Sequence, residues 1–347
     1  MIFNNLYKNV GVDLGTANTL LYIKGQGIVI NEPTIVALNE RTGQILSVGN
    51  DAKKMLDRTP EHIHLVKPLI NGVISDFETT EEILKYFLKK AGGGGLFSRF
   101  HTAAISVPTN LTEVERKSVE DAAISAGASR VFLVEAPLAG AIGARLPVEE
   151  PTSNMIIDIG GGTTEISIIS VGGTVKSRSL KIGGEKFNED IIKAVKDEFQ
   201  LLIGEPTAEE AKISIGSAIP QDEKLEIVIR GRNVSTGLPK EIMLRDTQVR
   251  AMLQKSLKGI VEAVRSLIEE SPPELVGDIL KRGIHLSGGG SQLRGLDKFI
   301  SREIMVETTV VDDPLTCTVR GLGIIIEDMP KYETILVNQQ KPQTVNI

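Results

Sequence analysis

The chain has 347 residues, a net charge of −6, 41% hydrophobic and 24% charged residues, which suits a soluble two-domain protein or one large duplicated one. The acidic balance argues against a nucleic-acid partner, which needs clustered Lys and Arg, and the single Cys317 excludes an internal disulfide and reads as a structural thiol in a reducing, cytoplasmic setting. No run of about 18 apolar residues offers a membrane span, the first residues lack a secretory-signal layout, and His62, His64, His101 and His285 form no metal-ligand spacing.

Strands and helices alternate, which predicts an α/β architecture. A short apolar strand is expected at Asn9–Asp13, then a hairpin of Leu20–Lys24 and Gly27–Ile30 around Gly25-Gln26. Helical spacing covers Thr80–Lys90 and ends at the glycine run Gly92–Gly95. Ala103–Val107 reads as a strand closed by Pro108, and Thr112–Ala126 as a helix. Thr112 can cap that helix, Glu113 and Glu115 suit its first turn, and Gly127 stops it. Arg130–Val134 is a further strand, and Pro137 opens a helix.

The second half restarts the plan. Met155–Asp158 is a strand, Thr164–Ser170 and Thr174–Leu180 form a hairpin around Gly172-Gly173, and Asn188–Glu198 is a helix. A long helix near Thr247–Glu269 ends before Pro272-Pro273, and the strand Gly283–Leu286 leads into Gly288–Gly290. The polar stretch beyond Lys331 reads as a loosely ordered tail.

An internal repeat carries the chemistry. Val12-Asp13-Leu14-Gly15-Thr16 resembles Ile157-Asp158-Ile159-Gly160-Gly161-Gly162-Thr163-Thr164, each after a strand and before a hairpin. Ligands of α/β sheets sit at the carboxyl ends of strands. Glycines let backbone N–H groups approach a phosphate, and Thr hydroxyls add donors. A carboxylate beside phosphate is repelled unless a cation stands between them, so Asp13 and Asp158 imply Mg²⁺, held partly through water. Either segment alone reads more readily as an ordinary turn; two copies in matching context favour the functional reading. Neither is a P-loop, which ends in Gly-Lys-Ser/Thr. The third signal is Leu286-Ser287-Gly288-Gly289-Gly290-Ser291, whose glycines let a flat ligand lie against backbone after an apolar strand.

Together these segments resemble, in order, the two phosphate loops and the adenosine loop of the actin, heat-shock chaperone and sugar kinase ATPase superfamily. Within it the sequence is most similar to the MreB family, the bacterial actin homologues that determine rod shape. That resemblance covers almost the whole chain and rests on Asp13–Thr19, Gly25–Pro33, Gly72–Phe77, Asp158–Glu165, Thr207–Gly216, Ser271–Leu275 and Asp312–Leu315. It implies a duplicated actin-like, ribonuclease H-like α/β fold with two lobes around a nucleotide cleft. The lobes would be residues 1–147, with a small subdomain inserted at about 33–76, and 148–330, with one at about 185–255; residues 331–347 would be a tail. It also implies that ATP phosphates are held by Thr16, Ala17 and Asn18 on one side and by Gly160, Gly161, Gly162 and Thr163 on the other. Glu209 and Lys212, otherwise a plain solvated i,i+3 pair, would line the adenosine side, with Gly288, Gly289, Gly290 and Ser291 under the base.

The chain departs from the family pattern at two places. The family places a water-activating carboxylate immediately before the proline of Leu133–Leu138, where this chain has Ala136. Glu135 stands next to it but points elsewhere on extended backbone, while Thr163, the other water-positioning residue, is present. The family's glutamate before Ile215-Gly216 is here Ser214. The expectation is therefore ATP binding with slow or absent hydrolysis, with Thr163 and Glu135 as the catalytic candidates.

The resemblance further implies self-association into filaments at the inner face of the cytoplasmic membrane, with membrane-bound cell-shape and wall-synthesis proteins as partners. The membrane candidates are the N-terminal Ile2, Phe3, Leu6 and Tyr7, at helical spacing beside Lys8, and the cluster Leu96, Phe97 and Phe100, with Arg99, after the glycine run. The alternatives within the superfamily are a small-molecule kinase, for which no acidic base toward a substrate hydroxyl is evident, and a chaperone-type ATPase, whose appended peptide-binding domain has no counterpart in the segments read.

Overall fold

The computed structural model describes residues 7–56, 58–92, 99–333 and 335. Two five-stranded sheets dominate and share one plan. The first runs Ala128–Glu135, Arg99–Val107, Tyr7–Leu14, Asn18–Ile23, Gly27–Pro33; the second runs Thr308–Val310, Ile284–Ser287, Asn154–Ile159, Thr164–Ser170, Gly173–Leu180. In each sheet the central strand pairs antiparallel with the strand that follows it and parallel with one from much later in that half. The expected duplication is thus a duplication of topology. Asn154–Ile159 is almost wholly buried along its length, as a central strand covered on both faces must be.

The helices form where local chemistry dictates. Glu113–Ser125 begins with a reciprocal capping box between Thr112 and Glu115, as their spacing predicts. Phe77–Ala91 begins one turn earlier than its apolar spacing suggests, because Asp76 caps it by accepting from the Thr79 N–H at 3.0 Å. Its buried face, Ile83, Leu84, Phe87 and Leu88, packs under the first sheet. Small three-stranded sheets fall within the segments 33–76 (Val36–Asn39, Gln44–Val48, Ile63–Val66) and 185–255 (Leu201–Leu202, Glu226–Asn233, Pro239–Arg245).

The helix that follows the first sheet's last strand, Ala136–Gly143, packs on the helix that follows the second sheet's last strand, Cys317–Glu327. The approach is backbone to backbone. A Cβ on Gly143 would lie 1.9 Å from the Cys317 carbonyl oxygen, and one on Gly321 would lie 1.8 Å from that of Ala139. Cys317–Glu327 also covers the first sheet, with Leu322 directly over Gly11. The chain therefore returns to its first half between residues 317 and 327, a stretch that the sequence division assigned to the second lobe.

Two residues of the expected membrane clusters lie elsewhere. Phe100 is 1% exposed in the first core, because parallel pairing beside Lys8 carries this end of the strand inside. Tyr7 opens the first strand, so the helical spacing stops before it. Ile2, Phe3, Leu6, Leu96 and Phe97 lie outside the described residues. Among the described residues no helix is long and apolar enough to cross a membrane.

Candidate functional site

The carboxyl ends of the two central strands open on one cavity of about 860 Å³. Asp13 and Asp158 reach it from matching positions. In the parallel pairing Asp13 stands opposite Ser106, and Asp158 opposite Ser287. Each serine hydroxyl donates to its aspartate, Ser106 Oγ to Asp13 Oδ1 at 2.6 Å and Ser287 Oγ to Asp158 Oδ1 at 2.9 Å. The following turns also match, with Gly15 N–H donating to the Asn18 carbonyl at 3.1 Å and Gly160 N–H to that of Thr163 at 2.9 Å.

Neither aspartate is compensated by charge. Burial pushes Asp13 up to about 6 against the lowering effect of Ser106. Burial and then the charge of Asp13 push Asp158 up to about 7, against the lowering effect of Ser287. Two enclosed acids that resist ionisation together are suited to a cation.

The two glycine-threonine turns touch across the cavity. A Cβ on Gly161 would lie 2.6 Å from that of Ala17, and one on Gly162 would lie 2.8 Å from Thr16 Oγ1, so only glycine permits this approach. Thr16 Oγ1 also accepts from the Gly72 N–H at 2.9 Å. Of the residues expected to hold nucleotide, Thr16, Ala17, Asn18, Gly160, Gly161, Gly162, Thr163, Glu209, Lys212, Gly288, Gly289 and Gly290 line the cavity. Ser291 does not; it is buried behind the glycines, where its hydroxyl closes the turn on the Gly288 carbonyl at 2.7 Å. Gly288 sits at φ +79 with Ile159 O and Asp158 Oδ1 within 2.7 Å of where a Cβ would be.

On the wall expected to take adenosine, Lys212 Nζ joins Glu209 Oε2 at 2.6 Å and the Gly184 carbonyl at 3.0 Å. Burial raises Glu209, but the Lys212 charge and the hydrogen bonds from Lys212 and Asn188 outweigh it and leave Glu209 below the usual carboxylate range. Ser214 is exposed and off the wall.

Glu135 is 1% exposed and does not line the cavity; its Oε2 accepts from Thr174 Oγ1 at 2.5 Å, while Ala136 forms the wall. Several cavity residues were not among the site residues expected from the sequence: Ser106, Glu165, Asn188, Arg294 and the bridge of Lys67 to Glu185 (3.0 Å) and Glu205 (2.7 Å). Lys67 belongs to the first half, whereas both glutamates open helices of the second, Gly184–Phe199 and Glu205–Ile215.

Two sheets of one topology, joined at a cavity with duplicated Asp–Ser pairs and phosphate-type turns, define an actin-like protein. Structural neighbours agree. MreB5 of Spiroplasma citri bound to ADP superposes with a TM-score of 0.90 at 36% identity, over 94% of this chain and 98% of that one. A double helical MamK filament subunit superposes at 0.78 with 22% identity, over 92% and 99%, which is likeness of fold. The chain belongs to the MreB/Mbl protein family, which it matches over residues 7–334. It is 47% identical to the cell shape-determining protein MreB of Escherichia coli strain K12 over 94% of this chain and 95% of that one. It is 44% identical to the cell shape-determining protein Mbl of Bacillus subtilis strain 168, over 93% and 97%.

Proposed function

We propose that this chain binds Mg-ATP in the cavity and assembles into actin-like filaments that help to determine cell shape. The observation that carries the reading is the duplicated Asp–Ser pair, with two phosphate-type turns facing each other across one cavity. The ADP and AMPPNP bound by the Spiroplasma citri relative support it. Mg²⁺ fits the donor set, since it takes one or two protein carboxylates and completes its octahedron with phosphate and water. Asp13 and Asp158 supply those carboxylates, and no larger cluster of ligating residues competes among the described residues. When bound, Mg²⁺ would neutralise phosphate charge beside them.

The turns at Thr16–Asn18 and Gly160–Thr163 then hold the phosphates, and Glu209, Lys212 and Gly288–Gly290 the adenosine. Thr163 orients water at the phosphate end. Glu135, turned toward Thr174, does not take the place of the carboxylate missing at Ala136, and turnover slower than in relatives with a carboxylate at that position follows. The filaments lie at the inner face of the cell membrane, where Leu96 and Phe97, with Ile2 and Phe3, contact lipid and where wall-synthesis proteins are the partners.

Calorimetry with Mg-ATP and pelleting with and without nucleotide test the core of this reading. Tight binding and nucleotide-dependent sedimentation are expected, with no phosphate transfer to a panel of sugars. A chain that fails to bind Mg-ATP, or that phosphorylates a sugar without pelleting, overturns it.

A further inference from the structure

The duplication supplies an internal comparison. On the antiparallel neighbour of each central strand, Asp13 stands opposite Leu20 and Asp158 opposite Glu165. Directly opposed residues of an antiparallel pair project to the same face of the sheet. Leu20 and Glu165 accordingly both line the cavity. The two halves differ here in kind, an apolar side chain in one and a carboxylate in the other.

Glu165 is only 2% exposed, and a carboxylate is almost never that buried unless something engages it. Thr109 Oγ1, from the loop after the first half's Arg99–Val107 strand, donates to its Oε2 at 2.8 Å. Ser179 Oγ, from the second sheet, donates to its Oε1 at 2.5 Å. The side chain is therefore fixed from both halves before any ligand arrives. The Thr109 N–H also donates to Oε2, at 3.5 Å; a carboxylate offers about four acceptor positions, so these three donors still leave it capacity toward the cavity. Ala136 lines the same cavity and brings only a methyl group. Glu135, by contrast, is held by Thr174 and does not line it.

We propose that Glu165 is the catalytic carboxylate of this chain, an inference that rests on the nucleotide reading above. It accepts a hydrogen bond from the attacking water. As the water oxygen bonds to the γ-phosphorus, the bond from that phosphorus to the bridging oxygen of the β-phosphate breaks. The water proton passes to Glu165 and then to solvent, and ADP and inorganic phosphate leave.

Glu165→Gln separates this role from that of a tie between the halves, because the amide oxygen still accepts from Thr109 or Ser179 but the group cannot take a proton. Mg-ATP affinity, by calorimetry, should be unchanged, while phosphate release in single turnover falls about 10²-fold or more. Adding Ala136→Glu to that variant should restore release. A crystal structure of the parent with AMPPNP should show a water between Glu165 and the terminal phosphate. Equal release by parent and variant, or no release from an ATP-bound parent, overturns the proposal. A loss that comes with lost Mg-ATP binding and is not rescued makes Glu165 a structural tie and overturns it equally. Failure of the parent itself to bind Mg-ATP brings down the nucleotide reading, and this proposal with it.

Discussion

Removing one buried charge should make the empty protein more stable and the loaded one less so. In Asp158→Asn the side chain keeps its size and an acceptor for the Ser287 hydroxyl. The wild-type carboxyl, raised by burial and by Asp13, moves from 3.8 to about 7. A carboxylate whose pKa rises on folding binds protons more tightly in the folded state. Its contribution to stability is therefore present below about pH 4 and is lost as pH climbs toward 7. A rise of about three units at 1.36 kcal/mol per unit comes to about 4 kcal/mol of destabilisation at pH 8. Without nucleotide, Asp158→Asn should thus be more stable than the parent at pH 8 by up to about that amount, with a smaller gap at pH 5. Thermal denaturation at the two pH values reads this directly. Mg-ATP should reverse the order, stabilising the parent strongly and the variant little. A variant less stable than the parent at pH 8 without nucleotide, or a gap indifferent to pH, would refute the assignment of Asp158 as an uncompensated buried acid.

Three further outcomes are expected. Gly288→Ala forces a Cβ against Ile159 O at 2.4 Å and Asp158 Oδ1 at 2.7 Å; it should destabilise the fold by about 1–3 kcal/mol and weaken Mg-ATP binding, read by denaturation and calorimetry. Lys67→Met removes the bridge between the halves and leaves Glu185 beside Glu205; this partly exposed contact is worth about 1 kcal/mol, so stopped-flow nucleotide release should quicken about fivefold. Leu96→Ser with Phe97→Ser should reduce co-sedimentation of filaments with anionic liposomes while leaving Mg-ATP affinity intact; equal liposome binding would leave the N-terminal segment as the lipid contact.

What the sequence disclosed follows the range of each interaction. Thr112 and Glu115 signal their helix because the capping box closes within three residues. Asp13 and Asp158 are visible because each strand, acid and turn is contiguous and occurs twice. Their serine partners are not visible, since Ser106 lies 93 residues from Asp13 and Ser287 lies 129 from Asp158, and only strand pairing joins them. Glu165 stood inside a recognised segment but gained meaning only from its register opposite Asp158. Phe100 was misread for the same reason, because a run of glycines followed by apolar residues does not reveal that its last member begins a central parallel strand. The short strands at Val36–Asn39 and Pro239–Arg245 were missed, the first because it is only four residues long and the second because the contiguous Ile242, Met243 and Leu244 mask its alternation in the sequence.

The crossing of Ala136–Gly143 with Cys317–Glu327 has a mechanical consequence. With Gly143 and Gly321 each pressed onto a carbonyl of the opposite helix, no side chain separates the two backbones. Sliding one helix along the other would drive a Cβ into that seam within a residue of travel, whereas a small rotation about the contact displaces almost nothing. The contact thus resists sliding more than tilting. A change of a few degrees at this crossing is multiplied by distance into ångströms at the outer small sheets.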